Sequence, residues 1–294
     1  MSVVERAIDR LRRSGPPPVP ERVGPVGTLN LPEGRTASRP EDAADPKIHI
    51  DRDALRAAGY LPESGQDRVF ADEYRQIKRP LIATAFSGGG GIAGDPRLIM
   101  MASALPGDGK TFTSINLALS LARERDTSVV LVDADAAKPH VSQIFGVEKE
   151  KGLLDALASD AVDVEALVMP TDIRGLSILP AGSRGDLATE LLASDRMQQV
   201  ARALLHNNPR RLVLFDTSPL LVSSESHAVA GVVGQIVLVV RSGKTPRQAV
   251  IDAVAKLDES KAVSLVLNQG RRGMLGGYYG YGSYGHYGQD KDAT

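Results

Sequence analysis

Five short apolar runs fix the class of fold open to this chain: Leu98–Ala102, Val129–Val132, Leu212–Phe215, Ile236–Val240 and Val263–Leu267. Near-continuous apolar stretches of this length are the pattern of parallel strands buried on both faces. Amphipathic stretches near 112–125, 188–206 and 246–258 lie between them, and Leu176–Leu179 reads as a further strand. Strand and helix alternating over some 200 residues predict an α/β, doubly wound, mostly parallel sheet whose ligand sits beyond the carboxyl ends of the strands. With 294 residues, 42% of them hydrophobic, one sizeable domain is expected, placed here at residues 48–270.

The flanks differ in composition. Val4, Ala7, Ile8 and Leu11 recur at helical spacing, so residues 1–13 read as an amphipathic docking element or as a helix packed on the core. Residues 14–47, with Pro16-Pro17-Pro18, Pro20, Pro25 and Pro32, read as a flexible linker. A further element is expected over Asp51–Leu61, and a helix from Phe70 to Ile77 that Pro80 stops. Residues 271–294 form a tail in which Tyr278, Tyr279, Tyr281, Tyr284 and Tyr287 are separated by glycines, a composition that resists packing into a core. A formal net charge of -1 argues against a nucleic-acid partner. The absence of cysteine excludes disulfides and thiolate metal sites, and the five histidines have no zinc-ligand spacing. Met1–Ile8 lacks the apolar region of a signal peptide, and the run Ala228–Val240 is short and broken by Gln235, so a cytoplasmic chain reaching a membrane only through a partner is expected.

The chemistry begins after the first strand. Ala104-Leu105-Pro106-Gly107-Asp108-Gly109-Lys110-Thr111 opens a helix starting with Phe112, the Walker A pattern with alanine in place of its first glycine. Backbone N–H groups of a tight loop and the positive helix end cradle phosphates, Lys110 reaches the β- and γ-oxygens, and the Thr111 hydroxyl binds Mg²⁺. The stretch Pro106 to Phe112 is therefore the candidate ATP site. Upstream, Gly89, Gly91 and Gly94 satisfy a dinucleotide-binding string, but a strand follows them and a loop is the better reading. The second strand ends in Asp133-Ala134-Asp135 and the third in Asp216-Thr217-Ser218-Pro219. Carboxylates at buried strand ends must be paired or face a cation, which beside a phosphate loop points to Mg²⁺ and hydroxyl chemistry. Thr217-Ser218-Pro219 alone reads equally as a turn.

These motifs resemble the bacterial tyrosine kinases, P-loop enzymes associated with exopolysaccharide synthesis, over about residues 68–288. The resemblance implies that Lys110 and Thr111 hold the β,γ-phosphates and Mg²⁺, that Asp133 assists deprotonation of the acceptor phenol, and that Asp135 and Asp216 serve the metal. It implies that Asn268 contacts adenine, although capping of the strand end reads nearly as well, and that the five tail tyrosines are phosphoacceptors. It further implies a homo-oligomer, a membrane activator of the chain-length-determining (polysaccharide co-polymerase) type and a cognate tyrosine phosphatase. The family's oligomerisation helix, Glu-x-x-Arg-x-x-Arg, has its nearest match in Asp72-x-x-Arg75-x-x-Lys78, where lysine cannot reproduce bidentate guanidinium pairing. Ala137-Lys138 stands where many members have two arginines. With Ile77–Ile82 and the N-terminal helix, that departure resembles the subgroup of exosortase-type loci. Two other readings share the motifs: a partitioning or septum-positioning ATPase, whose signature loop lysine is Leu105 here, and a nucleotide-binding regulator without kinase activity.

Overall fold

The computed structural model describes residues 48–270, apart from 88–90, 184, 186 and 207. The expected helix at 1–13, the linker at 14–47 and the tail at 271–294 lie outside the described residues. Described elements begin with α1 (Arg52–Ala57), capped by the Asp51 carboxylate on the amides of Asp53 and Ala54. They continue through α2 (Asp67–Phe86), β1 (Asp95–Ser103), α3 (Lys110–Leu121), β2 (Ser128–Asp133), α4 (His140–Ile144), α5 (Leu153–Ala158), β3 (Met169–Pro170) and β4 (Leu176–Leu179). After them come α6 (Ala188–Leu192), α7 (Asp195–His206), β5 (Arg211–Asp216), α8 (Glu225–Val232), β6 (Val233–Arg241), α9 (Arg247–Ala255) and β7 (Ala262–Asn268).

One seven-stranded sheet runs in the order β3-β4-β2-β5-β1-β6-β7, parallel except for β3, which pairs antiparallel with β4. All six anticipated strands are present. The central ones, β2 and β5, are buried at every position because both faces are covered. One face carries Met100, Val130, Val213 and Leu238 under α5, α7, α8 and α9; the other carries Ile99, Leu131, Leu214 and Val237 under α2 and α3. The run Ala228–Val240 is divided between α8 and β6, and the stretch 188–206 between α6 and α7.

Two expectations are corrected. Pro80 does not stop α2, which continues six residues further to Phe86. Proline leaves the Gln76 carbonyl without its helical donor, but both residues are exposed, where water serves that carbonyl. Continuing the helix buries Leu81 and Ala85 on the face that carries Tyr74, and this burial outweighs the lost bond. The run 263–267 is not a strand buried on both faces. It is the sheet edge, with Val263, Leu265 and Leu267 exposed in alternation with half-buried neighbours.

Lys78 likewise points inward. Its ammonium donates to the Ser120 carbonyl at 2.8 Å and pairs with Glu124 at 2.8 Å, capping the end of α3. Only Arg75 and Asp72 of the anticipated assembly motif remain exposed, and they pair with each other. Among the described residues no helix is long and apolar enough to cross a membrane.

Candidate functional site

The loop Ala104–Gly109 joins the carboxyl end of β1 to the start of α3, where the doubly wound topology leaves a crevice. Gly107 (φ 82°) and Gly109 (φ 92°) occupy the left-handed region that lets the loop turn this tightly. A Cβ at Gly107 would meet nothing, whereas one at Gly109 would strike Asn268 Nδ2. Asp108 is buried and shapes the loop from within: it accepts the Leu105 amide at 3.1 Å and the Thr245 hydroxyl at 2.6 Å. The Asn268 amide donates to the Asp108 carbonyl at 3.0 Å, and its Oδ1 accepts the Gln269 amide at 2.9 Å. Asn268 thus ties the end of β7 to the phosphate loop. Amides 107–112 donate to no protein acceptor among the described residues, so the loop and the first turn of α3 present a row of free donors that fits a chain of phosphates.

The cation side of the site gathers on Asp216, which has no exposed surface. Lys110 Nζ pairs with Oδ1 at 2.9 Å, the Thr111 hydroxyl donates to Oδ2 at 2.8 Å, and the Ser114 hydroxyl donates to Oδ1 at 2.8 Å. Lysine and carboxylate each compensate the other's desolvation. A hydroxyl and a carboxylate meeting beside free amides suit Mg²⁺, which takes few protein ligands and fills its shell with phosphate oxygens and water.

Asp133 lies in register with Asp216 on the adjacent strand and is equally buried, yet its partners differ. Ser142, on α4, donates both its amide and its hydroxyl to Oδ2 at 2.7 Å, and the Asp135 amide reaches Oδ1 at 3.3 Å. Burial, with a smaller push from the Asp216 charge, raises this carboxyl to about 7 in spite of those hydrogen bonds. Asp135, two residues on, accepts the Ser218 hydroxyl at 2.8 Å and the Lys138 amide at 3.0 Å. The Thr217 hydroxyl donates to Met101 O at 2.9 Å, so the turn after β5 is pinned to β1 while its serine holds Asp135.

The geometry therefore collects Lys110, Thr111, Asp133, Asp135 and Asp216 at the carboxyl ends of the central strands. The Phe112 ring packs edge-on against Phe70 of α2, while its amide stays in the row of free donors. The five tail tyrosines lie outside the described residues. Sequence reasoning passed over Ser114, Ser142 and Thr245, for which a lone hydroxyl in a helix or turn gives no signal. Ser114 had one faint marker: it follows Lys110 by one helical turn and so shares its face.

Residues 96–245 match a family described as an AAA domain. The tyrosine-protein kinase YwqD of Bacillus subtilis (strain 168) is 32% identical over 172 residues, 58% of this chain and 71% of the relative. The chain belongs to the bacterial tyrosine kinase family. The kinase domain of the Escherichia coli tyrosine kinase ETK superposes with a TM-score of 0.53 at 29% identity, covering 65% of this chain and 72% of that one. ExoP of Rhizobium meliloti (strain 1021), a succinoglycan biosynthesis transport protein, is 31% identical over 63% of this chain. This kinase-family chain spans only 24% of ExoP's length, and 21% to 23% of several other relatives named as tyrosine kinases.

Proposed function

We propose that this chain transfers the γ-phosphoryl group of Mg·ATP to tyrosine hydroxyls, its own Tyr278, Tyr279, Tyr281, Tyr284 and Tyr287 first among them, and that this regulates polysaccharide synthesis or export. The observation that carries the proposal is the pair of in-register carboxylates in unlike settings, Asp216 bound to Lys110 and Thr111, and Asp133 held by Ser142 without a cation. Mg²⁺ supplies charge neutralisation of the transferring phosphoryl group. Lys110 holds the β,γ-oxygens, Thr111 and Asp216 hold the metal and its water with Asp135 at the outer shell, and amides 107–112 orient the phosphates. Asp133, poised near neutrality, accepts the phenolic proton.

The relatives' names support both the tyrosine-kinase reaction and the polysaccharide context. Tail phosphorylation between neighbouring subunits, a cytoplasmic seat beside a membrane co-polymerase reached through residues 1–13, and reversal by a phosphatase complete the reading. Incubation with ATP and Mg²⁺ followed by intact-mass measurement tests it. Up to five phosphate additions mapping to the tail are expected. A chain that hydrolyses or binds ATP while its mass stays constant is instead a regulator or a partitioning-type ATPase.

A further inference from the structure

The open edge of the sheet carries an apolar stripe that the fold leaves uncovered. Leu265 and Leu267 are 63% and 58% exposed and Val263 is 37% exposed, all on one face of β7. Their register partners Ile236, Leu238 and Val240 lie under α9, through Val250, Ala253 and Val254, so the helix's cover ends one strand short of the edge. Exposed branched side chains in a row on an edge strand mark a contact surface.

The chain itself shows what lies nearest. Immediately after β7, Gln269 adopts φ 56°, and among the described residues it is the one non-glycine residue with positive φ. The turn is built: Asn268 Oδ1 accepts the Gln269 amide, and Arg241 Nε donates to Gln269 Oε1 at 2.8 Å. A Cβ placed on Gly270 would stand 3.9 Å from Leu267 Cδ2, so the chain leaves this turn beside the last residue of the stripe. β7 has seven residues, and residues 271–277 match it in number. At about 3.3 Å per residue seven residues of chain suffice to span β7, and Met274 and Leu275 are the apolar residues within that reach.

We propose that the C-terminal segment from Arg271 to Tyr281 packs back in cis on Val263, Leu265 and Leu267. Packed there, its tyrosines are withheld from the catalytic edge of a neighbouring copy, a consequence that rests on the phosphoacceptor reading above.

The test uses the unphosphorylated full chain and exploits its composition: tryptophan is absent and five of seven tyrosines lie in the tail, so tyrosine emission reports on that segment. Acrylamide, a neutral quencher, is titrated against wild type, Leu265→Ser/Leu267→Ser and the tail-side variant Met274→Ser/Leu275→Ser. Both double variants should raise the quenching constant at least twofold while circular dichroism stays native, and wild-type quenching should not change over a hundredfold dilution. Equal quenching in all three proteins overturns the proposal, and so does a wild-type constant that climbs on dilution, which would mean that the stripe is covered by a second copy. Deleting residues 1–47 should leave quenching unchanged; a rise there would assign the stripe to the N-terminal segment instead. Faster phosphate gain in the variants is expected in addition. Its absence alongside raised quenching would count against the phosphoacceptor reading and leave the packing intact.

Discussion

Asp216 and Asp133 are the same residue on neighbouring strands, paired in register and both without exposed surface, yet their surroundings give them opposite characters. Around Asp216 the protein places an ammonium and two hydroxyls, so its charge is compensated before any metal arrives. Around Asp133 it places one serine and backbone amides, and the carboxyl is left titrating near neutrality. Strand position brings both residues to the crevice; the helix packed against each, α3 at Asp216 and α4 at Asp133, decides what they can do. A carboxylate paired with an ammonium and two hydroxyls suits metal chemistry, and one raised to about 7 suits a base.

The largest effect expected on this contrast comes from Lys110→Met. Phosphoryl transfer should fall by about 10³-fold, since the site loses its principal protein cation. The nucleotide-free protein should also lose about 3–5 kcal/mol, because Asp216 is left buried and unpaired. Lys110→Met/Asp216→Asn should recover much of the urea midpoint and none of the activity. A single variant as stable as wild type would show that the pair does not hold Asp216.

Asp133→Asn should lower turnover by about 10²–10⁴-fold while having the reverse effect on stability. Because the folded-state value is raised to about 7, the native protein holds this proton more tightly than the unfolded chain does. Its stabilising contribution is complete below about pH 4 and is lost as pH rises through about 7. Urea midpoints taken from pH 5 to pH 8 should therefore fall further for wild type than for the asparagine variant. Parallel curves would remove the ground for treating Asp133 as the titrating member.

Ser142→Ala should be milder. It deletes one donor to Asp133 and the acceptor of the Ala181 amide, a loss of about 1–3 kcal/mol with a smaller fall in turnover than Asp133→Asn. Smallest of all, Arg75→Ala should shift stability by less than about 1 kcal/mol, since its pair with Asp72 is solvent-exposed, whereas Lys78→Ala should cost more by uncapping α3. Equal shifts at Arg75 and Lys78 would undo the inward assignment of the lysine.

The sheet and the phosphate loop were legible because their physics is written in contiguous residues: uninterrupted apolar runs for strands covered on both faces, and glycines preceding a lysine at a strand-to-helix turn. Asp133 and Asp216 were legible for the same reason, as charges at the ends of buried runs. Local sequence misled where tertiary packing overrode it. Pro80 signals a helix end, but the burial of Leu81 and Ala85 carries α2 past it, and Lys78 looks like a surface residue of an assembly motif until α3 is packed beside it. An apolar run reads alike at the centre and the edge of a sheet, so nothing in Val263–Leu267 announced its exposed side. Ser142 stands nine residues beyond Asp133, and only the return of α4 over β2 brings them together.

In the proposed mechanism Asp216 serves the metal and Asp133 the proton, and a magnesium titration of autophosphorylation at saturating ATP separates the two roles. Asp216→Asn should shift the half-saturating Mg²⁺ concentration upward by about tenfold, with turnover partly recovered at high metal. Asp133→Asn should keep the wild-type magnesium midpoint and remain slow at every concentration. Superimposable magnesium curves for the two variants would contradict the division.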